Sequence, residues 1–162
     1  MNSIESCGAL AISSRLQRLS EQIRKDGAQL YKSFGFDFEP KWFPVIYTLS
    51  QKPLLSVVEI ANEIGYSHPS TISLLKELEK QKLLVSQKDK ADERKRLLKL
   101  TKKGEQLVFQ MQPVWEIMKT ALEAIINNND HLLKAIDQAE EALNKQSFLQ
   151  RAAALKNQLD DI

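Results

Sequence analysis

With one cysteine, two histidines and only five glycines in 162 residues, several chemistries have no material to work with. Cys7 alone cannot close an internal disulfide, which fits a reducing compartment. His68 and His131, together with that single thiol, give no metal-ligand spacing, so neither a metal nor a cofactor is expected. There is no glycine-rich phosphate loop, no Ser/His/Asp set and no pair of acids with an evident task, so the chain does not read as an enzyme. No stretch approaches the ~20 apolar residues a bilayer-spanning helix requires, and no membrane association is expected. The start, "MNSIESCGALAISSRL", lacks the basic lead and apolar core of a secretory signal, which leaves the cytoplasm as the expected compartment.

What is present is an ordinary core and an uneven distribution of charge. Hydrophobic residues make up 43% and charged residues 27%, the balance of a soluble globular chain of one domain, or one domain with a small extension. The net charge of +2 conceals two opposed regions. Residues 82–104 carry nine Lys/Arg against three Asp/Glu, whereas residues 123–162 carry four against seven. Such polarity suggests that one end meets a polyanion.

Apolar periodicity sets out the elements. Leu16, Leu19, Ile23 and Leu30 recur at helical steps, predicting an amphipathic helix from Ile12 to about Lys32, ended near Gly35. A second helix begins around Pro40 with Trp42, Ile46 and Leu49 inward, and tolerates Pro44 only within its first turn. Ser56 and Glu59 form a capping box opening a short helix that Gly65 stops. Ser67 caps the next helix, with Pro69 in its first turn and Ile72, Leu75 and Leu78, flanked by Leu74, as its buried stripe. Strands over 83–87 and 96–101 follow as an antiparallel hairpin. Thr101 caps a long helix that Pro113 should kink, Asp130 caps another, and Ser147 starts a last one.

Between the two strands, every residue from Lys88 to Arg96 except Ala91 is charged. A hairpin needs only a few polar turn residues, so this tip asks for a purpose. The order helix, turn, helix, hairpin supplies one, because it is that of a winged helix-turn-helix. A helix held by a compact pair fits the major groove of DNA, and a cationic hairpin beside it reaches phosphates or the minor groove. His68, Pro69, Ser70, Thr71 and Ser73 sit at the N-terminal end of the second helix, with Lys76 one turn on; short polar side chains there suit close approach to base edges. The wing offers Lys90, Asp92, Arg94, Lys95 and Arg96. Glu77 and Glu79 indicate that the C-terminal half of the helix turns away from DNA.

The run "SHPSTISLLKELEKQKLLVSQKDKADERKRLLKLTKKGEQL" resembles the multiple-antibiotic-resistance regulator (MarR) family. The matching elements are Ser67-x-x-x-Thr71-Ile72-Ser73, Leu78-Glu79-Lys80-x-x-Leu83-Leu84, Asp92-x-Arg94 and Leu100-Thr101-x-x-Gly104, and the likeness extends over about residues 8–126. It implies a mainly α fold, a winged helix-turn-helix with a two- or three-stranded β-wing and dimerising N- and C-terminal helices. It further implies a homodimer on double-stranded operator DNA, repressing or activating transcription under control of a small-molecule effector. On that resemblance Arg94 enters the minor groove, oriented by Asp92, while Ser70, Thr71 and Ser73 face the major groove. "CGALAISSRLQRLSEQ" and "FDFEPKWFPVIYTLS" look closer to a branch fused to an N-acetyltransferase domain, but with the chain ending at Ile162 a stand-alone regulator is expected.

Blander readings stand beside these. The wing is also readable as a solvated hairpin tip, and His68 as a base or phosphate contact, a pH-sensitive residue or a plain helix start. Cys7 lies at the spacing of hydroperoxide-sensing relatives, yet Ala11 stands where they carry a tyrosine, so redox sensing and an inert thiol both remain open. Trp42, Phe43, Tyr47 and Trp115, with Arg15 as a carboxylate partner, line a ligand pocket or else simply pack a core. Leu10, Ile12, Leu16, Leu132, Leu133, Ile136 and Leu143 have little place to hide in one chain and are expected at a dimer interface. The expected division is a winged lobe over 36–104 and a dimerisation region over 1–35 and 105–162. Two rivals remain: a winged-helix module used for protein contacts, and the regulatory half of an acetyltransferase system whose catalytic partner is another chain.

Overall fold

The computed structural model describes residues 3–89, 92, 95–126 and 131–160. The cap expected at Asp130 and the wing residues Lys90 and Arg94 lie outside the described residues. A short helix α1 (Ser3–Ser6) and a 3-10 turn (Gly8–Ala11) lead into α2 (Ile12–Ser33). Gly35 follows with φ 78°, a left-handed conformation that lets the Phe36 N–H return to the Tyr31 carbonyl at 2.9 Å. Of α2 only Gly27 and Tyr31 are buried. Tyr31 meets Phe38 edge-on at 4.9 Å, and Phe38 meets Trp42 at 5.6 Å.

A 3-10 turn (Pro40–Trp42) opens α3 (Phe43–Gln51), with Pro44 in the first turn, where a missing N–H costs nothing. Val45, Ile46 and Leu49 point inward. After β1 (Leu55–Ser56) comes α4 (Val57–Ile64), opened by the reciprocal box of Ser56 and Glu59 and closed by Gly65 at φ 69°. The Ser56 hydroxyl and N–H hold the Glu59 carboxyl below its ordinary range, and the charge of Lys95 pulls the same way.

Helix α5 (His68–Lys80) starts at Ser67, whose hydroxyl accepts the Ser70 N–H at 3.3 Å. Its buried face is Thr71, Leu74, Leu75 and Leu78. The expected stripe was therefore turned slightly: Ile72 is only half-buried and Leu74 is inside. Strands β2 (Leu84–Lys88) and β3 (Arg96–Leu100) pair antiparallel from Leu84↔Leu100 to Lys88↔Arg96. β1 adds a third strand through Leu55↔Leu98, in the order β1-β3-β2. Each fully buried Leu or Ile here contributes roughly 1.5–3 kcal/mol of hydrophobic stabilisation before the entropy of ordering is set against it.

Helix α6 (Lys102–Ile125) contains Pro113 and continues beyond it. Its start explains the Leu100-Thr101-x-x-Gly104 motif. The Thr101 hydroxyl donates to the Lys82 carbonyl at 2.7 Å and accepts the Gly104 N–H at 3.1 Å, so one side chain caps the helix and ties it to the turn after α5. A Cβ at Gly104 would lie 2.3 Å from the Leu83 carbonyl oxygen, so only glycine lets the two backbones approach this closely. Helices α7 (His131–Lys145) and α8 (Phe148–Asp160) complete the described chain. Ser147 caps α8 reciprocally with Gln150, at 3.2 and 2.9 Å. The chain resolves into two compact units, Met1–Glu116 and Ile117–Ile162. No described helix is long and apolar enough to cross a membrane.

Candidate nucleic-acid interface

The N-terminal half of α5 presents His68, Pro69, Ser70, Ser73 and Lys76, all exposed. Ser70 is not merely displayed: its Oγ receives the Ser67 hydroxyl at 2.8 Å, leaving its own hydroxyl proton available to an outside acceptor. Thr71 departs from this face. Its relative exposure is 0%, and its hydroxyl donates to the Ser67 carbonyl at 3.0 Å. That bond, one turn back within the helix, satisfies the only polar atom of the side chain and allows its burial. Thr71 is a core residue of α5, and the expectation that it meets the major groove is corrected accordingly.

The wing lies beside this helix. At its tip the Asp89 N–H donates to the Lys95 carbonyl at 3.0 Å, and the Lys95 N–H donates to the Asp92 carbonyl at 2.9 Å. Lys95 and Arg96 are exposed and Asp92 is half-buried. Arg96 is not free to search for phosphate, because its Nη2 lies 2.5 Å from both carboxylate oxygens of Glu79.

Glu77 and Glu79, expected to mark where the helix turns away from DNA, each have a partner. Besides the pairing of Glu79 with Arg96, Glu77 Oε1 accepts the Trp42 indole N–H at 3.0 Å and lies 2.9 Å from Lys41 Nζ. The bond from Lys41 is the main reason the Glu77 carboxyl is held below its ordinary range, with the indole adding to it. Reciprocally, Glu77 and then Glu39 raise Lys41. Sequence spacing could not reveal these partners, since Glu77 and Trp42 are 35 residues apart and Glu79 and Arg96 are 17 apart.

The proposed ligand-pocket residues divide. Phe43 stacks on Tyr47 at 5.3 Å, and Trp115 meets both edge-on, at 5.3 and 5.9 Å. The Trp115 indole donates to the Tyr31 hydroxyl at 3.2 Å, so Tyr31 belongs to this cluster although periodicity assigned it no role. Burial pushes the Tyr31 phenol up, against the opposite effect of the Trp115 bond. Trp42 touches none of the Phe43, Tyr47 and Trp115 rings directly and joins them only through Phe38 and Tyr31; it is buried, bonded to Glu77, and borders a depression of about 330 Å³ with Asp37, Gln81 and Lys103. Adjacent helical positions diverge by about 100°, whereas Phe43 and Tyr47, four apart, share a face. Arg15 is exposed on α2 and makes no hydrogen bond or ion pair with the aromatic cluster among the described residues.

Leu10, at 92% exposure, and Ile12, Leu16, Leu132, Leu133 and Leu143 are all open to solvent in the single chain, with Ile136 half-buried. Cys7 is exposed, its thiol bonded to the Ser3 carbonyl at 3.1 Å. Among the described residues no group of His, Cys, Asp and Glu is arranged to hold a metal ion.

Residues 36–95, from the segment before α3 to the wing tip, match the model of the MarR family. Among solved structures, reduced AbfR bound to DNA superposes with a TM-score of 0.70 at 19% identity, covering 90% of this chain and 98% of that one. MepR of S. aureus, in complex with DNA, gives 0.69 at 21% identity over 82% of this chain and 98% of its own. The transcriptional repressor CouR, bound to a 23-mer duplex, gives 0.68 at 25% identity over 82% and 96%. The helix order, the capped α5 and the three-stranded sheet are those of a winged helix-turn-helix, and residues 36–95 of it are similar to the MarR family.

Proposed function

We propose that this chain is a DNA-binding transcriptional regulator acting as a homodimer on double-stranded operator DNA. The observation that carries the reading is the exposed polar edge of α5, with His68, Ser70, Ser73 and Lys76, set beside a wing whose surroundings hold nine cations against three acids. Ser70 and Ser73 read base edges, Lys76 and Lys95 meet phosphates, and Arg94 of the wing enters the minor groove, with Lys90 and Asp92 supporting it. The exposed faces of the N-terminal 3-10 turn, α2 and α7, with Leu10, Leu16, Leu133 and Leu143, are closed by the second copy. Two lobes related by a two-fold axis suit half-sites about 10 base pairs apart, centre to centre. Residues 36–104 form the DNA lobe in this reading, with 1–35 and 105–162 serving dimerisation.

We assign a small-molecule effector to the cluster of Phe43, Tyr47 and Trp115, where Tyr47 is 46% exposed. The cytoplasm is the compartment in which such a regulator meets DNA. An enzymatic role is no part of the proposal, and an acetyl-CoA binding assay on this chain should give nothing.

Binding to a duplex selected from a random library, titrated with salt, tests the reading. The logarithm of the binding constant should fall steeply with the logarithm of salt concentration, as counterions are released from phosphates. Replacing Arg94 by Ala should weaken operator binding by about 1–3 kcal/mol and lower that slope by about one. Binding that is absent or insensitive to salt would favour the winged-helix protein-contact module instead.

A further inference from the structure

We propose that Arg96 is a positioning residue and not a DNA contact: its ion pair with Glu79 is a strut that sets the angle between α5 and the wing. The inference rests on the DNA-binding reading and revises the part Arg96 plays in it.

The mechanics follow from where the two residues sit. Helix α5 ends at Lys80 and β2 begins at Leu84, so the hairpin leaves the helix through a turn of three residues. Lys82 in that turn has φ 59°, a left-handed conformation that a side chain rarely adopts. Several bonds hold the turn itself: the Leu83 N–H donates to Leu78, Thr101 grips the Lys82 carbonyl, and Lys103 Nζ donates to the Gln81 carbonyl at 2.9 Å. None of these reaches the far end of the hairpin. Arg96 does, because it pairs with Lys88 in the last register position before the tip, four residues beyond Leu84. At ~3.3 Å per residue that is about 13 Å along the lever from the turn. A tie from there to the last turn of α5 triangulates helix, turn and hairpin.

The pair also solves an electrostatic problem. A bare carboxylate on the groove-reading helix would repel DNA, and Glu79 is occupied by Arg96 as Glu77 is by Lys41 and Trp42. Were Arg96 to leave for a phosphate, Glu79 would be uncovered close to the polyanion. An ion pair with this degree of exposure, 45% for Arg96 and 21% for Glu79, adds little to global stability. Its effect is therefore on orientation.

The test compares Arg96→Gln, Glu79→Gln, the double variant and the charge swap E79R/R96E, in the full-length protein, by salt-titrated binding to operator and to unrelated duplex. Amide hydrogen exchange of β2 and β3 without DNA is followed in parallel. A strut predicts that both single changes lower operator preference by a similar factor, roughly five- to twentyfold since a homodimer carries the pair twice. The double variant should lose no more than the worse single, the swap should recover part of the loss, and hairpin exchange should rise in both singles. If instead Glu79→Gln tightens binding while Arg96→Gln alone lowers the salt slope by about one, Arg96 is a phosphate contact and the strut is overturned. Unchanged preference and unchanged exchange in both singles overturn it equally. Failure of the unaltered protein to bind any duplex would defeat the DNA-binding reading, and the exchange measurement would still decide whether the pair couples helix to hairpin.

Discussion

In the winged lobe Val45, Ile46, Leu49, Ile60, Leu75, Leu78 and Leu98 are shut off from solvent, whereas α7 buries no residue and Phe148, Leu149 and Leu155 of α8 stand open. The two regions are built from similar residue types. What differs is the number of neighbouring directions. The lobe brings α3, α4, α5 and a sheet against one another, so each apolar face meets a second within the same chain. Helices α7 and α8 each carry an apolar side, but a single chain leaves those sides uncovered. In the proposed homodimer a second copy would cover such a face with the identical face in a self-complementary arrangement.

The widest break in this contrast comes from charging the open faces. Leu133→Glu combined with Leu143→Glu should convert the dimer to monomer in sedimentation experiments. Operator affinity should fall about 100-fold or more, because two half-sites would no longer be engaged from one body. Since neither side chain is buried in the single chain, the lobe should keep its fold. A double variant that remains dimeric would move the interface off α7.

Changing the lobe from within should do the reverse, lowering stability while leaving the subunit contact alone. At Gly104 an added Cβ would meet the backbone oxygen of Leu83, which has no rotamer to yield. Gly104→Ala should therefore cost about 1–3 kcal/mol in chemical denaturation, as overpacking does in a tight core. A loss well below that range would mean that α6 can slide off the turn after α5.

How far these features could be read in advance depended on whether their cause was local. Ser56 with Glu59, Gly65, Ser67 with Pro69, and Thr101 with Gly104 were all legible, because a cap or a left-handed turn is decided within four residues. The wing was legible from its charge. Thr71 was not, because a threonine among serines looks exposed until its hydroxyl is found to be satisfied inside its own helix, one turn back at Ser67. Glu77 and Glu79 were legible as a sign that the helix turns away from DNA but not as ion-pair partners, since those partners come from the segment before α3 and from β3. The relation of Trp42 to Trp115 was hidden for a third reason: aromatic content identifies a cluster, but the helical phase of 42 against 43 puts Trp42 at its far end, joined to Trp115 only through Phe38 and Tyr31.

A smaller effect separates local from tertiary support within the lobe. Ser56→Ala removes one side of the reciprocal cap on α4 and should cost about 0.5–2 kcal/mol, read in the same denaturation experiment. Operator contacts should be untouched, because Ser56 faces Glu59 and not the exposed edge of α5. If Ser56→Gly costs as much as Ser56→Ala, the loss lies in more than the cap, since glycine is itself tolerated at that position.

The smallest expected effect concerns pH, and it tests whether the glutamates of α5 are held as firmly as the apolar residues beneath them. Lys41 lowers the Glu77 carboxyl below its ordinary value of 4.5 in the folded chain, with help from the Trp42 indole. The folded state then binds fewer protons than the unfolded state in that range, so the contribution to stability is fully present above pH 4.5. It drains away as pH falls through the lowered folded value. Stability measured from about pH 6 down to about pH 3 should fall more gently in Glu77→Gln than in the unaltered protein, with the two curves parallel above the carboxylate range. Identical acid slopes would mean that the Lys41–Glu77–Trp42 contact opens freely in solution. Helix α5 would then be held on its outer flank by packing alone, which would leave the Arg96–Glu79 pair as the principal polar tie setting its direction.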